Sequence, residues 1–536
     1  MVSTLSASPA LLVRESSTAA RWRVLVGALM VQLILGTIYG YSVFRQPLET
    51  RLWPQVLSSP QAQAILAAGG SLPADAVVLP DATQVAREHA LRQGYLKYAF
   101  AVCLLSFAAS MVFAGRLQDV IGPRITATVG GALLGVGFLL AGFFSTPVIY
   151  QVCHGLLMGA AALLAALAVE RLSRAAGLTR STREALKLAV VTSIVVVGVA
   201  LGFQAVRVSL ETRVLMLWLT IGLIAGAGVG FAYVCPIAAL VKWFPAHKGL
   251  VSGIAVAGFG FGAYLFSGKS VLGAVGFIER YGVEAFFRIH ALVSVAIVGA
   301  GAWLLCNPPS SRPPGRPGLI EAKEAGWRDL LRTGRFYLVW LMFFSGAMAG
   351  LMIIGILKPF AGSQLVEAAL RDATAIADSV RNDLLLQGAQ AVGVLAIFNA
   401  AGRIVWGLLS DRIGRTRAMT LMFIFQGVTM LALITLDTRL ELALGAACVG
   451  FNFGGNFALF PSLTADLFGS KNFGANYGWV FTSYGIAGVI GVWVGNTAQR
   501  VTGSYFAAFA LAAALCLISA GLAATIRRRD RAAGGA

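Results

Sequence analysis

Apolar positions along this chain fall in long unbroken runs. They show neither the one-sided stripe of a soluble helix nor the alternation of a half-buried strand. About fourteen runs of roughly 18–25 residues, each long enough to cross a hydrocarbon core of about 30 Å, are separated by polar connections. Inside a bilayer the backbone has no water to pair with, so runs of this length predict membrane-spanning helices. Barrel strands are shorter and alternate in polarity, which excludes that architecture. The expected fold class is all-α and integral to the membrane.

Taken in order, the runs divide the chain into a tail (1–21), an N-terminal bundle (22–306), a linker rich in Pro, Arg and Glu (307–335), a C-terminal bundle (336–526) and a second tail (527–536). Two polar stretches, 47–92 and 361–386, occupy matching places after the first span of each half and are expected as external connections, the first a loop with room for short helices. Two runs, 150–169 and 186–206, form an additional hairpin within 150–208. Packing of this hairpin against the bundle edge is the default expectation, with an oligomer or lipid contact as the alternatives.

Composition sharpens the membrane reading. The chain is 58% hydrophobic and 12% charged, with a mean hydropathy of +0.79, whereas a soluble domain carries about 25% charged residues. The formal net charge of +19 invites a nucleic-acid partner. Its distribution argues for a lipid bilayer instead, because the basic residues fall in tails and alternate loops, all on one side when spans are counted. That positive-inside pattern places both termini in the cytoplasm of a cell-membrane protein and requires an even number of spans. The six cysteines (Cys103, Cys153, Cys235, Cys306, Cys448, Cys516) have no paired spacing and are expected as free thiols. The first twenty residues lack the order of a secretory signal, so the first span is expected to be retained.

Two short segments repeat. Gly115-Arg-Leu-Gln-Asp119-Val-Ile-Gly122-Pro-Arg124 and Gly407-Leu-Leu-Ser-Asp411-Arg412-Ile-Gly414-Arg415 both read Gly-x-x-x-Asp-x-x-Gly with arginine close behind. Each closes an apolar run on the cytoplasmic side. The first glycine of each allows close helix contact and the second a sharp turn, while Asp and Arg supply a charge network across the cytoplasmic mouth. Matching turns in two halves indicate an internal repeat, a common construction in transporters.

These turns resemble the loop signature of the major facilitator superfamily. Tyr233-Val-Cys-Pro236, the glycine-rich stretch 249–262, Phe453-Gly-Gly-Asn-Phe457, Asn476-Tyr-Gly478 and Thr482-Ser-Tyr-Gly485 are together similar to the oxalate/formate antiporter family, itself related to monocarboxylate transporters. The resemblance implies two pseudo-symmetric six-helix bundles; with the additional hairpin, about fourteen transmembrane helices are expected. It also implies a substrate-binding arginine in the eighth family span, which is Arg403 here. The family's partner lysine in the eleventh span is replaced by Tyr484.

Arg403 stands out without the resemblance. It lies roughly 12 Å up the helix from Asp411, close to the bilayer centre. An intramembrane arginine is costly and usually faces a cavity or a partner. It is expected to anchor an anionic substrate; the alternative is membership of the charge network at Asp411. Asn399, one turn away, is a candidate to orient it or to touch the substrate, with a helix-packing amide as the alternative, and Tyr39, Tyr41 and Tyr484 are candidates to line the site. Asn452 and Asn456 share a face and stay ambiguous between packing and binding. Arg45, Lys97 and Lys358 sit near span ends, where their heads can reach the interface. His154 and His290 are expected as packed, hydrogen-bonded residues.

One guanidinium binds one carboxylate, which favours a small monocarboxylate; an oxalate/formate-type dicarboxylate antiporter and a nitrate/nitrite-type anion transporter are the alternatives. No acid falls near mid-span, which favours anion exchange or facilitated flux over carboxylate-mediated proton symport, with a proton carried by a histidine or by the substrate's own carboxylate as the alternative. Four histidines without metal spacing, and no phosphate-cradling Gly-x-x-x-x-Gly-Lys-Ser/Thr loop, weigh against a membrane enzyme and against ATP drive. The glycines at 249–262 follow no strand, so no dinucleotide site is expected. No metal or cofactor is expected, and a monomer is. A transporter-derived sensor is the remaining alternative.

Overall fold

The computed structural model describes residues 9–144, 147–177, 179–204, 210–267, 273–309, 324–372 and 377–534. The middle of the expected linker, the ends of both expected tails, the last residues of the expected hairpin and the side chains of Cys153 and His154 lie outside the described residues.

Eighteen α-helices make up most of the described chain. In the first half they are α1 (Pro9–Leu35), α2 (Arg45–Leu52), α3 (Ser59–Ala67), α4 (Ala82–Ile121), α5 (Pro123–Ala141), α6 (Pro147–Ala175), α7 (Arg180–Gln204), α8 (Leu210–Leu217), α9 (Gly226–Trp243), α10 (Lys248–Ser267) and α11 (Ala274–Leu304). The short α12 (Trp327–Leu331) ends the linker, and α13 (Gly334–Asp372), α14 (Asp378–Ile413), α15 (Arg415–Ala432), α16 (Arg439–Phe468), α17 (Phe473–Thr502) and α18 (Phe506–Gly534) build the second half. Among the described residues, twelve helices are long and apolar enough to cross a membrane. The hairpin helices α6 and α7 form as expected but are not among those twelve.

Both polar connections carry regular structure. Within 47–92 the short helices allowed for are present as α2 and α3, β1 (Val56–Ser58) also pairs in parallel with β2 (Val77–Leu79), and α4 already starts at Ala82. Its 40 residues make a helix of about 60 Å, well beyond the bilayer. The polar extension 82–93 consists largely of good helix formers, and Asp81 caps it by accepting from the Gln84 amide at 2.8 Å. Likewise 361–386 is largely helix, because α13 runs on to Asp372 and α14 begins at Asp378.

The halves meet along two seams, α4 against α17 and α10 against α14. Glycine makes both possible: Gly115 rests on the backbone of Gly474, and Gly407 on that of Gly249. Any Cβ there would drive into a facing main chain. The sharp turns after α4 and α14 are built alike, with Gly122 and Gly414 both at φ +93°, a conformation that strains other residues.

Candidate functional site

Arg403 is fully buried between the halves, away from the repeated turns. Its Nε donates to Asn399 Oδ1 at 3.1 Å, one turn back on α14, and Nη1 donates to the Val256 carbonyl of α10. Its guanidinium lies 4.7 Å from the Phe457 ring centre and 6.0 Å from that of Phe259. A desolvated cation over a ring face gains on the order of 2 kcal/mol. No carboxylate pairs with it among the described residues, and Nη2 has no hydrogen-bond partner. Leaving a buried charged donor unsatisfied is costly, so this nitrogen marks where an acceptor would be stabilised most.

Two predicted tyrosines close over this position from opposite halves. The hydroxyls of Tyr39 and Tyr484 are hydrogen-bonded to each other, and Tyr39 packs edge-on to Phe259 with ring centres 4.8 Å apart. Tyr39 sits in a segment, Gly36–Phe44, where the first span tightens to 3-10 geometry. Tyr41 is not part of the enclosure: it stacks on Phe100 at 6.1 Å, and its buried hydroxyl has no partner. Asn452 and Asn456 are buried on α16 with amide oxygens that accept no bond.

Sequence reasoning missed half of the enclosure. Phe259 and Phe457 supply the ring faces, and Phe481 packs against Tyr233, Tyr477 and Tyr484 at 5.4, 5.7 and 4.8 Å. The hydroxyls of Tyr233 and Tyr477 are buried without hydrogen-bond partners. Their one sequence signal is a phenol placed within an apolar run.

The repeated turns form a second, separate site. Asp119 accepts from the backbone amides of Gly474 (3.2 Å) and Ala475 (2.8 Å), where α17 begins. Asp411 accepts from Gly249 (3.0 Å) and Leu250 (2.8 Å), where α10 begins. Each aspartate of one half thus caps a helix of the other, where the helix dipole favours an anion. Arg415 pairs with Asp411 at 2.5 Å and Asp466 at 3.0 Å, and Lys248 joins Asp466 at 2.7 Å. Arg403 takes no part in this network. Arg124 donates instead to the Leu305 carbonyl, which ties the turn to the end of α11, and Arg412 is exposed. These contacts close both seams at the end that carries the repeated turns.

Of the predicted thiols, Cys103, Cys235 and Cys516 are buried and Cys306 and Cys448 partly so, all free. No cluster of metal-ligating side chains occurs among the described residues.

A sequence model described as Major Facilitator Superfamily matches residues 373–536. An uncharacterized MFS-type transporter of Escherichia coli (strain K12), YhjX, is 26% identical over 470 residues, spanning 88% of this chain and 86% of that protein. The oxalate:formate antiporter of Oxalobacter formigenes is 30% identical over 306 residues, 54% of this chain and 67% of that one. Among solved structures, the proton:xylose symporter XylE bound to 6-bromo-6-deoxy-D-glucose superposes with a TM-score of 0.53 over 94% of this chain and 95% of that one, at 10% identity. This last likeness is one of fold.

Proposed function

The chain belongs to the major facilitator superfamily, and from that premise we propose that it carries a small organic monoanion, a monocarboxylate, across the cell membrane by alternating access. The observation that carries this reading is Arg403. The buried charged residues among those described are Glu49, Arg92 and Arg403. The first two belong to the external cap, where Glu49 meets His89 and Arg92 meets Glu88. One unpaired guanidinium between the bundles offers two parallel donors to one carboxylate. A second carboxylate would face Tyr39 and Tyr484, which can donate hydrogen bonds but cannot neutralise charge.

In the proposed cycle the carboxylate binds Nη1 and Nη2 of Arg403, taking the place of the Val256 carbonyl. Asn399 keeps the guanidinium oriented, and the Tyr39–Tyr484 pair opens to admit the substrate and re-forms over it. Rocking of the halves then breaks the Asp119 and Asp411 caps and exposes the same site to the cytoplasm. With the site empty, the switch between faces would enclose Arg403 as an uncompensated buried cation, so re-loading with an anion favours exchange over uniport. Both termini lie in the cytoplasm in this reading, and α6–α7 add two spans to the twelve.

The test pairs a thermal-shift screen of small carboxylates with counterflow in proteoliposomes. Wild type is expected to be stabilised by monocarboxylates and to exchange them. Arg403→Gln is expected to lose both responses while remaining folded. Retained flux in that variant, with unchanged KM, would remove Arg403 from the site. Stronger stabilisation by oxalate than by formate would favour the dicarboxylate alternative.

A further inference from the structure

Histidine 290 is fully enclosed in the first half, away from the substrate position. Phe138 and Phe266 meet its ring edge-on, with centres 4.6 and 5.5 Å away, and Phe286 stacks parallel to it at 5.6 Å. Its Nε2 lies 3.0 Å from Thr37 Oγ1 and 3.4 Å from Ser294 Oγ. The neighbouring charges on α11 are engaged elsewhere: Arg288 lies over the Phe143 ring and Glu284 pairs with Arg51. No carboxylate from α5, α10 or the first span contacts the imidazole among the described residues.

Hydrogen-bond accounting fixes the direction of the short contact. A threonine hydroxyl has one proton, and Thr37 donates it to the Ile34 carbonyl at 2.8 Å. With that proton on the Ile34 carbonyl, the bond to His290 runs the other way, with Nε2–H donating to Thr37 Oγ1 in the Nε2–H tautomer. The histidine acts here as a neutral donor in an apolar box, where a charged imidazolium would be strongly disfavoured.

Thr37 is the second residue of the 3-10 segment Gly36–Phe44. Such segments are short because their hydrogen-bond geometry is poorer than that of an α-helix, so one of nine residues needs outside support. Two residues further on stands Tyr39, whose hydroxyl meets Tyr484 across the interface between halves. We propose that His290 is a positioning residue: by donating to Thr37 it holds the tightened end of the first span so that Tyr39 faces Tyr484 and Arg403, and it sets anion affinity without carrying a proton. The proposal rests on the substrate-site reading above.

Two readouts test it, one of which needs no substrate. Hydrogen–deuterium exchange over residues 36–44 of the full-length protein is expected to speed up by roughly fivefold in His290→Leu and in Thr37→Val, the size of one net hydrogen bond. The double variant is expected to add nothing further. His290→Gln, which retains an N–H donor, is expected to restore protection. In proteoliposomes with formate and pyruvate as probes, His290→Leu should raise KM severalfold with Vmax little changed, and His290→Gln should keep the wild-type pH profile. Unchanged exchange in His290→Leu overturns the proposal, as does loss of pH dependence in His290→Gln. Loss of the Arg403 assignment would show separately, as flux surviving in Arg403→Gln, and would leave the exchange result in place.

Discussion

Tyr484 occupies the position at which the chemistry of the enclosure is most easily rewritten. It is fully buried, touches Phe107, Phe343, Phe457 and Phe481, and hydrogen-bonds Tyr39. Lysine there would put a second cation near Arg403 with no carboxylate to pair it, a cost of several kcal/mol in a low-dielectric site. A dianion would cancel both charges. Tyr484→Lys is therefore expected to melt at lower temperature than wild type when empty, and to be stabilised by oxalate more than by formate, at least a tenfold reversal of preference. Equal responses to both anions would show that position 484 does not face the substrate. Arg403 and Asn399 were legible in the sequence because a cation inside an apolar run has few physical explanations and i,i+4 spacing puts the amide beside it. Phe259 and Phe457 were not, since a phenylalanine in a run of apolar residues has no contrast. Which ring faces a guanidinium is decided by packing between halves. Tyr41 shows the same limit from the other side: a phenol two residues from Tyr39 turned out to stack on Phe100, because the 3-10 segment changes the angle between successive side chains.

At the level of elements, the repeated turns explain how one face stays closed. Asp119 and Asp411 each accept two backbone amides at the start of a helix belonging to the other half. Those bonds exist only while the seams are shut, so they stabilise the closed form of that face relative to the open one. Losing a capping carboxylate costs about 0.5–2 kcal/mol, and 1.4 kcal/mol is tenfold in an equilibrium. Asp119→Ala and Asp411→Ala are each expected to raise the inward-open population by roughly three- to tenfold. Distances between spin labels on the cytoplasmic ends of α4 and α17, and of α10 and α14, would report it. A distribution unmoved by both substitutions would mean that the glycine contacts alone hold the seams. The motif was readable from sequence, with its two glycines and its aspartate in matched places. Its partners were not: the caps are the backbone of Gly474, Ala475, Gly249 and Leu250, and backbone amides leave no mark in a sequence. Of the motif's arginines Arg415 joins the charge network, whereas Arg124 bonds the Leu305 carbonyl just past α11 and Arg412 stays exposed.

On the scale of the whole molecule, the hairpin stands apart from the machine that surrounds Arg403. Its helices α6 and α7 pack on each other, and among the described residues no comparable packing joins either to the bundle. Their own clamp is polar: Glu170 accepts from Arg174, Arg183 and Lys187 near the turn. Leu163, Leu164, Leu167, Leu172, Leu186 and Leu188 remain exposed, a surface suited to lipid rather than water. The sequence expectation of packing against the bundle edge therefore finds no support in the described contacts. The chain meanwhile leaves and returns at one place, for Leu140 at the end of α5 packs on Met216 of α8, with Phe143 and Leu219 beside them. The flanking helices are thus held together by their own side chains, not by the excursion between them. Replacing residues 147–208 with a short Gly-Ser linker is expected to leave a monodisperse twelve-helix protein whose KM for its carboxylate is within about twofold of wild type. Closing so short a loop costs little entropy, and no side chain of the enclosure is removed. Aggregation on excision, or a KM raised tenfold, would mean that the hairpin supports the bundle through contacts made only in the membrane or in another state of the cycle.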